Sequence, residues 1–228
     1  MMRWQFLKLS LERPYNQLLF ILISIVSIGV IFKIDKIETI IVSFILLSSL
    51  LQVLKITRPS QHISRLLLGL TIVTFGTIVT NELGGFQFFP VLSILFRFIT
   101  LLSSSLFLGV VITLLIQTLL RQSQVTADLV KGGICIYLLI AILWSILYQA
   151  IAVLDSQAFL ILPEHQDNNP FVYFSFITLT STGFGDIVPI NPVAKLLAGF
   201  EAMFGQLYLA IVIARLVSLY SSQNSPRA

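Results

Sequence analysis

The sequence predicts an all-α membrane protein: six transmembrane helices, with a short re-entrant helix and a glycine-rich segment between the fifth and the sixth. Three observations predict it. The 228-residue chain is 57% hydrophobic and 11% charged, with a mean hydropathy of +0.97, more apolar surface than a soluble domain of this length can bury. That surface is gathered into six runs, 17–32, 39–56, 66–80, 91–120, 132–154 and 193–220, and a helix needs roughly 20 apolar residues to cross a bilayer. Lysine and arginine collect in alternate loops, as membrane topology requires.

The segment 1–14 carries Arg3, Lys8 and Arg13 and reads as a cytoplasmic N-terminus. No small-residue cleavage site follows run 17–32, so this run reads as a retained helix and not a signal peptide. Runs 39–56, 66–80, 91–120 and 132–154 follow. The next apolar piece, 171–180, is too short to span and has the length of a re-entrant helix. Pro170 suits its first turn, where a missing N–H costs nothing. Pro189 and Pro192 mark irregular chain before the last run begins.

Lys55, Arg58 and Arg65 flank the second loop, Arg121 and Lys131 the fourth, and Arg227 lies in the tail. Loops 81–90 and 155–170 hold no lysine or arginine, and Lys33 and Lys36 are offset by Asp35 and Glu38. The positive-inside rule then puts both termini in the cytoplasm and opens the glycine segment outward.

The formal charge of +4 comes from those loops and does not call for a nucleic-acid partner. Cys135 is the only cysteine and lies in an apolar run, which leaves no disulfide framework and no cysteine metal cluster. His62 and His165 have no partner at ligand spacing. The chain holds no glycine-rich Lys-Ser/Thr nucleotide loop, no His-Glu-x-x-His and no Gly-x-Ser-x-Gly, so neither an enzyme nor a cofactor is expected.

Chemistry concentrates in Thr178-Leu179-Thr180-Ser181-Thr182-Gly183-Phe184-Gly185-Asp186. Irregular backbone at membrane depth is tolerated only where protein buries it or where it lines a wet path. Glycine admits backbone angles that a Cβ forbids, so successive carbonyls can turn the same way. A ring of such carbonyls replaces the hydration shell of a cation, and Ser181-Thr182-Gly183-Phe184-Gly185 stands where a potassium filter has Thr-Val-Gly-Tyr-Gly.

With these residues in place, 131–220 resembles the pore module of the tetrameric potassium channel family, with outer helix, pore helix, filter and inner helix in order. Tyr173 and Phe174 resemble the aromatics that cuff the filter, Asp186 the aspartate that follows it, and Gly205, twenty residues beyond Gly185, the inner-helix hinge. The resemblance implies that potassium ions bind at Ser181, Thr182, Gly183 and Phe184, and that Gly185 lets the chain leave the outer mouth. It makes Tyr173, Phe174, Thr180, Asp186 and Glu201 supports of the filter, Gly205 a hinge, and Gln206 a residue of the water-filled cavity. One chain carries one pore unit and a filter needs four, so the implied assembly is a four-fold homotetramer. Its other partners are the lipid bilayer and K+ itself, a permeant ligand and not a cofactor.

Three departures bear on selectivity. Ser181 replaces Thr and keeps the hydroxyl. Phe184 replaces Tyr and loses the one that braces the ring. Thr182 stands where the family places Val or Ile, so a hydroxyl enters a packing position and needs a partner, with the pore-helix backbone as the available acceptor. A poorly selective monovalent cation channel and a non-conducting partner subunit are the alternatives. Gln206 is suited either to hydrated ions or to a helix–helix hydrogen bond. Glu201, an intramembrane carboxylate, is expected to brace the filter from behind. Arg215 is expected to snorkel at the cytoplasmic end.

Six spans with the pore unit last is also the layout of voltage-gated channels. Each charge crossing the field is worth about 2.3 kcal/mol per 100 mV, so steep gating takes three or four per subunit. Run 91–120 carries Arg97 alone, followed at third positions by Thr100, Ser103 and Leu106. Residues 15–121 therefore read as a voltage-sensor-like domain without a gating-charge array, and the channel as weakly or not voltage-gated. Arg97 either snorkels to outer head groups or pairs with Glu82, and Ser103-Ser104-Ser105 supplies helix-packing polarity. A cytoplasmic linker 122–131, the pore domain 132–220 and a short tail 221–228 complete the organisation. The absence of Asn-x-Ser/Thr acceptors fits a bacterial plasma membrane.

Overall fold

The computed structural model describes residues 14–31, 50–82, 90–162 and 170–224. In chain order the elements are α1 (Pro14–Ile31), α2 (Gln61–Glu82), α3 (Pro90–Leu120), α4 (Ala127–Leu154), β1 (Phe159–Ile161), α5 (Pro170–Leu179), β2 (Ile187–Pro189) and α6 (Pro192–Asn224). Residues 50–57 are helical as well. Among the described residues, four stretches are long and apolar enough to cross a membrane: Gln61–Thr80, Val91–Leu120, Ala127–Leu154 and Pro192–Ser222. This is the architecture of a mostly helical integral membrane protein. The N-terminal segment, most of the second predicted span, His165 and the Glu82 side chain offered to Arg97 lie outside the described residues.

Local chemistry sets the helix starts. Proline opens α1, α3, α5 and α6, since its fixed φ suits the first helical position and its missing N–H has no intrahelical acceptor there. Thr126 caps α4 in extended backbone, its side chain accepting from the Leu129 N–H. The helices outrun the predicted apolar runs. α2 includes Gln61 and His62, and α4 includes Asp128 and Lys131. Hydropathy sees only the lipid-facing part of a helix, while its backbone continues into the polar boundary.

The sequence reading placed irregular chain at Pro189. The chain instead forms a two-stranded antiparallel sheet, with Phe159 opposite Pro189, Leu160 opposite Val188 and Ile161 opposite Ile187. Three-residue strands are too short to show a period, so no sequence signal announces them. The sheet joins the chain leaving α4 to the chain leaving the glycine segment. Asn191 completes the joint: its Nδ2 donates to Asp155 Oδ2 at 2.8 Å, and its Oδ1 accepts from Val193 N at the start of α6.

Two apolar cores hold the elements. The larger gathers Leu18 and Leu22 of α1, Leu50 and Val53, Leu67 of α2, Leu115 of α3 and Ile136 of α4. It fastens the N-terminal helices to α4 of the same chain. A buried hydroxyl pair, Thr74 with Ser103 at 2.9 Å, ties α2 to α3, the packing role expected of the serine tract. The smaller core is aromatic. Tyr148, Phe159, Phe171 and Phe174 meet edge to face, with Tyr148–Phe174 centroids 4.9 Å apart and Phe159–Phe171 5.0 Å apart, the favoured geometry of ring quadrupoles. It seats α5 against α4 and the sheet.

Candidate functional site

The glycine segment begins as the cap of α5. The Thr182 N–H donates to Ile177 O at 2.8 Å and the Ser181 N–H to Thr178 O at 2.9 Å. Ser181 itself has φ 57. This is a Schellman ending, with the left-handed residue at the position that glycine usually takes. A residue with a Cβ is disfavoured there by about 1–2 kcal/mol, and a side-chain bond holds it: Gln206 Nε2 of α6 donates to Ser181 Oγ at 3.1 Å.

Beyond the cap the backbone alternates in hand. Ser181, Gly183 and Gly185 have positive φ, of 57, 53 and 81, whereas Thr182 and Phe184 do not. Alternation of this kind turns successive peptide dipoles toward a common side. Residues 181–185 are exposed along this stretch, and the Phe184 ring is 69% exposed. No side chain among the described residues buries it.

The Thr182 hydroxyl has its partner. It lies 2.9 Å from Thr180 Oγ1, which in turn donates to Phe176 O at 2.7 Å. Because the Thr180 hydrogen is engaged, Thr182 is the donor of the first bond. The acceptor at the end of the relay is the α5 backbone, reached through Thr180 and not directly.

At the far end of the segment, Tyr173 OH of α5 donates to Asp186 Oδ2 at 2.5 Å, and the other carboxylate oxygen accepts from Ile187 N at 3.0 Å. The carboxylate accepting its proton pushes the Tyr173 phenol up to about 12. Phe174, expected beside Tyr173 against the segment, is buried in the aromatic core, against which Tyr173 also packs.

Behind α5 lies a polar centre. Glu201 of α6 is fully buried. Its Oε2 accepts from Tyr148 OH of α4 at 2.5 Å, and its Oε1 is hydrogen-bonded to Ser175 Oγ of α5. The Ser175 hydroxyl also reaches Ala141 O of α4 at 2.7 Å. Three helices therefore meet on one carboxyl group. An intramembrane carboxyl has to be matched by polar partners, which is the one signal the sequence offers for this centre. It announces the need without naming Tyr148 or Ser175, which come from different apolar runs.

Gly205 lies where α6 crosses the end of α5. A Cβ there would stand 1.9 Å from Leu179 O, so glycine is required for the approach itself. The same carbonyl accepts from Tyr137 OH of α4 at 3.3 Å, and Tyr208 OH of α6 donates to Gly133 O at 2.7 Å. These tyrosine contacts were not foreseen.

Residues 134–222, from α4 through α6, match the ion channel family model. The match covers this stretch, less than half of the chain. The potassium voltage-gated channel protein shk-1 of Caenorhabditis elegans is similar to the chain, 38% identical over 56 residues that cover 23% of the chain and 10% of the relative. No solved structure matches.

The channel domain and the helices before it meet at Arg215. Its Nη2 donates to Leu120 O at 2.6 Å and to Gln122 O at 3.0 Å, closing the C-terminus of α3 with a cation, where the helix dipole favours one. Snorkelling was the expected role, and the side chain instead binds backbone of its own chain. Arg97 lies on α3, one side chain among those lining a cavity between α3 and α4.

Proposed function

We propose that this chain is one subunit of a four-fold homotetrameric, passive, potassium-selective channel with Ser181-Thr182-Gly183-Phe184-Gly185 as its filter. One observation carries the reading: a backbone of alternating hand springs from the cap of a short helix held between two helices of spanning length. Four copies around an axis supply the carbonyl cages of Ser181, Thr182, Gly183 and Phe184 and replace the water shell of a dehydrated cation. Dehydration is offset by carbonyl dipoles already turned one way, and the gradient supplies the driving force, so no chemical step is catalysed.

In this reading α5 is the re-entrant pore helix, the N-terminal region supplies the remaining spans of a six-helix subunit, and both termini are cytoplasmic. Tyr173, Thr180 and Asp186 hold the filter directly. Glu201 holds the pore helix behind it, and Phe174 acts through the aromatic core. The exposed Phe184 ring is covered by a neighbouring subunit. Gln206, bonded to Ser181, stands at the inner end of the filter. The Thr182 relay supports selectivity, because a satisfied hydroxyl does not loosen the strand that carries it.

Purified protein in planar bilayers tests this. Under bi-ionic potassium and sodium the expected reversal potential lies far toward the potassium side. A value near zero means a poorly selective pore, and absence of current means a subunit that does not conduct alone.

A further inference from the structure

The polar centre behind α5 holds more oxygen contacts than its hydroxyls have hydrogens. Tyr148 Oη of α4 meets Glu201 Oε2 at 2.5 Å, Glu201 Oε1 meets Ser175 Oγ of α5, and Ser175 Oγ meets Ala141 O of α4 at 2.7 Å. Each contact needs a hydrogen between its two oxygens, because bare lone pairs at hydrogen-bond distance repel. A phenol and a serine bring one hydrogen each, and a backbone carbonyl brings none. The Tyr148 hydrogen fills the first contact. Ala141 O can only accept, so the Ser175 hydrogen is taken by the third. The middle contact has no hydrogen left unless Glu201 carries it.

The surroundings favour an uncharged group. Glu201, Ser175 and Tyr148 are all fully buried. Ala141 lies midway along α4, a helix of spanning length. A bare carboxylate at that depth requires a cation or a full set of donors. The titratable groups that face Glu201 are Tyr148 and Tyr137 of α4, and α5 presents Ser175. No lysine, arginine or histidine among the described residues bonds to it.

We propose that Glu201 is a neutral carboxylic acid at neutral pH, donating its Oε1 hydrogen to Ser175 Oγ. The donors then run in one direction, from Glu201 to Ser175 to Ala141, while Tyr148 donates to the carbonyl oxygen of the acid. One proton joins α6 to α5 and frees the serine to hold α4 as well. An ionised Glu201 would take the serine hydrogen and set Ser175 Oγ bare against Ala141 O, parting α5 from α4. Glu201 is therefore a positioning residue of the short helix, and it acts through its proton. The hydrogen count holds for any membrane-embedded chain, and its benefit to the filter rests on the pore reading above.

Infrared spectroscopy of the full chain in lipid vesicles tests it. At pH 7 exposed carboxyls are ionised, so a protonated-carboxyl C=O stretch marks a held proton. The unaltered protein is expected to show such a band, displaced to lower frequency when its glutamate carboxyls carry the heavy carbon isotope. Glu201→Gln should remove it. Tyr148→Phe should keep it and move it to higher frequency, because the carbonyl oxygen loses its donor. The labelled, unaltered protein reads the proton even where a variant does not fold. The proposal is overturned if no label-sensitive band appears at neutral pH, if the band persists in Glu201→Gln, or if Tyr148→Phe leaves its frequency unchanged. The band reads the proton and current in planar bilayers reads the channel, so the two fail separately.

Discussion

Ser181 occupies a left-handed position usually given to glycine, held by the two backbone bonds of the cap and by one side-chain amide, that of Gln206. Gln206→Leu removes that donor while keeping side-chain bulk. The expected outcome is reduced potassium over sodium permeability with the protein still assembled, read from reversal potentials and from elution on a sizing column. The outer end depends on Tyr173 and Asp186. The phenol is raised from 10.0 to about 12, so the bond contributes fully below pH 10 and is lost as pH rises through about 12. Current stability should therefore be flat from neutral pH to pH 10 in the unaltered protein. Tyr173→Phe should show faster current decay already at pH 7, checked by sustained recording. The sequence made Asp186 and Thr182 legible through their place in the motif. It could not show that Thr180 stands between Thr182 and the backbone, because that depends on the side chains meeting at the cap.

Elements are held by polar contacts whose partners lie far apart in sequence. Glu201, Ser175 and Tyr148 lock α6, α5 and α4 together. Glu201→Ala leaves the buried Tyr148 hydroxyl without its acceptor, at about 1–3 kcal/mol, and should lower the thermal midpoint by several degrees. Glu201→Gln should do less harm: an amide accepts from Tyr148 and donates to Ser175, whose own hydrogen then serves Ala141 O. Comparing the two melting curves decides whether hydrogen-bond count or bulk matters. Gly205 was read as a hinge from its spacing, and the static packing gives it a further task. With Leu179 O in the way of a Cβ, Gly205→Ala must push α6 off α5, an overpacking cost of about 1–3 kcal/mol or more. The expected result is altered selectivity or assembly in addition to any change in gating. Unaltered reversal potentials would return the glycine to a pure hinge role. The strands β1 and β2 were invisible for a related reason: three residues carry no period, and only the pairing partner makes them strands.

For the whole molecule the N-terminal helices pack on α4 of their own chain, and α3 is joined to α4 by the short connection 121–126. Arg215 fixes the start of that connection to α6, so a movement of α3 has a direct mechanical route to the last helix. What it lacks is charge to respond to voltage. Arg97 stands alone in the span and near its start, so it crosses little of the field, and the apparent gating charge should be a small fraction of one per subunit. Conductance measured over a wide voltage range should be nearly flat, and a steep sigmoid would contradict the assignment of this region.

The sequence by itself determined membrane insertion, the order of helices and the location of the glycine segment, because hydropathy, basic loops and glycine act locally and leave their mark in consecutive residues. Tertiary structure alone decided how that segment is held. The left-handed Ser181 needs Gln206, Thr182 needs Thr180, and Glu201 needs Tyr148 and Ser175 from two other helices. A hydrogen bond is a relation between two groups in space, and a polar residue in an apolar run records only that a partner is required.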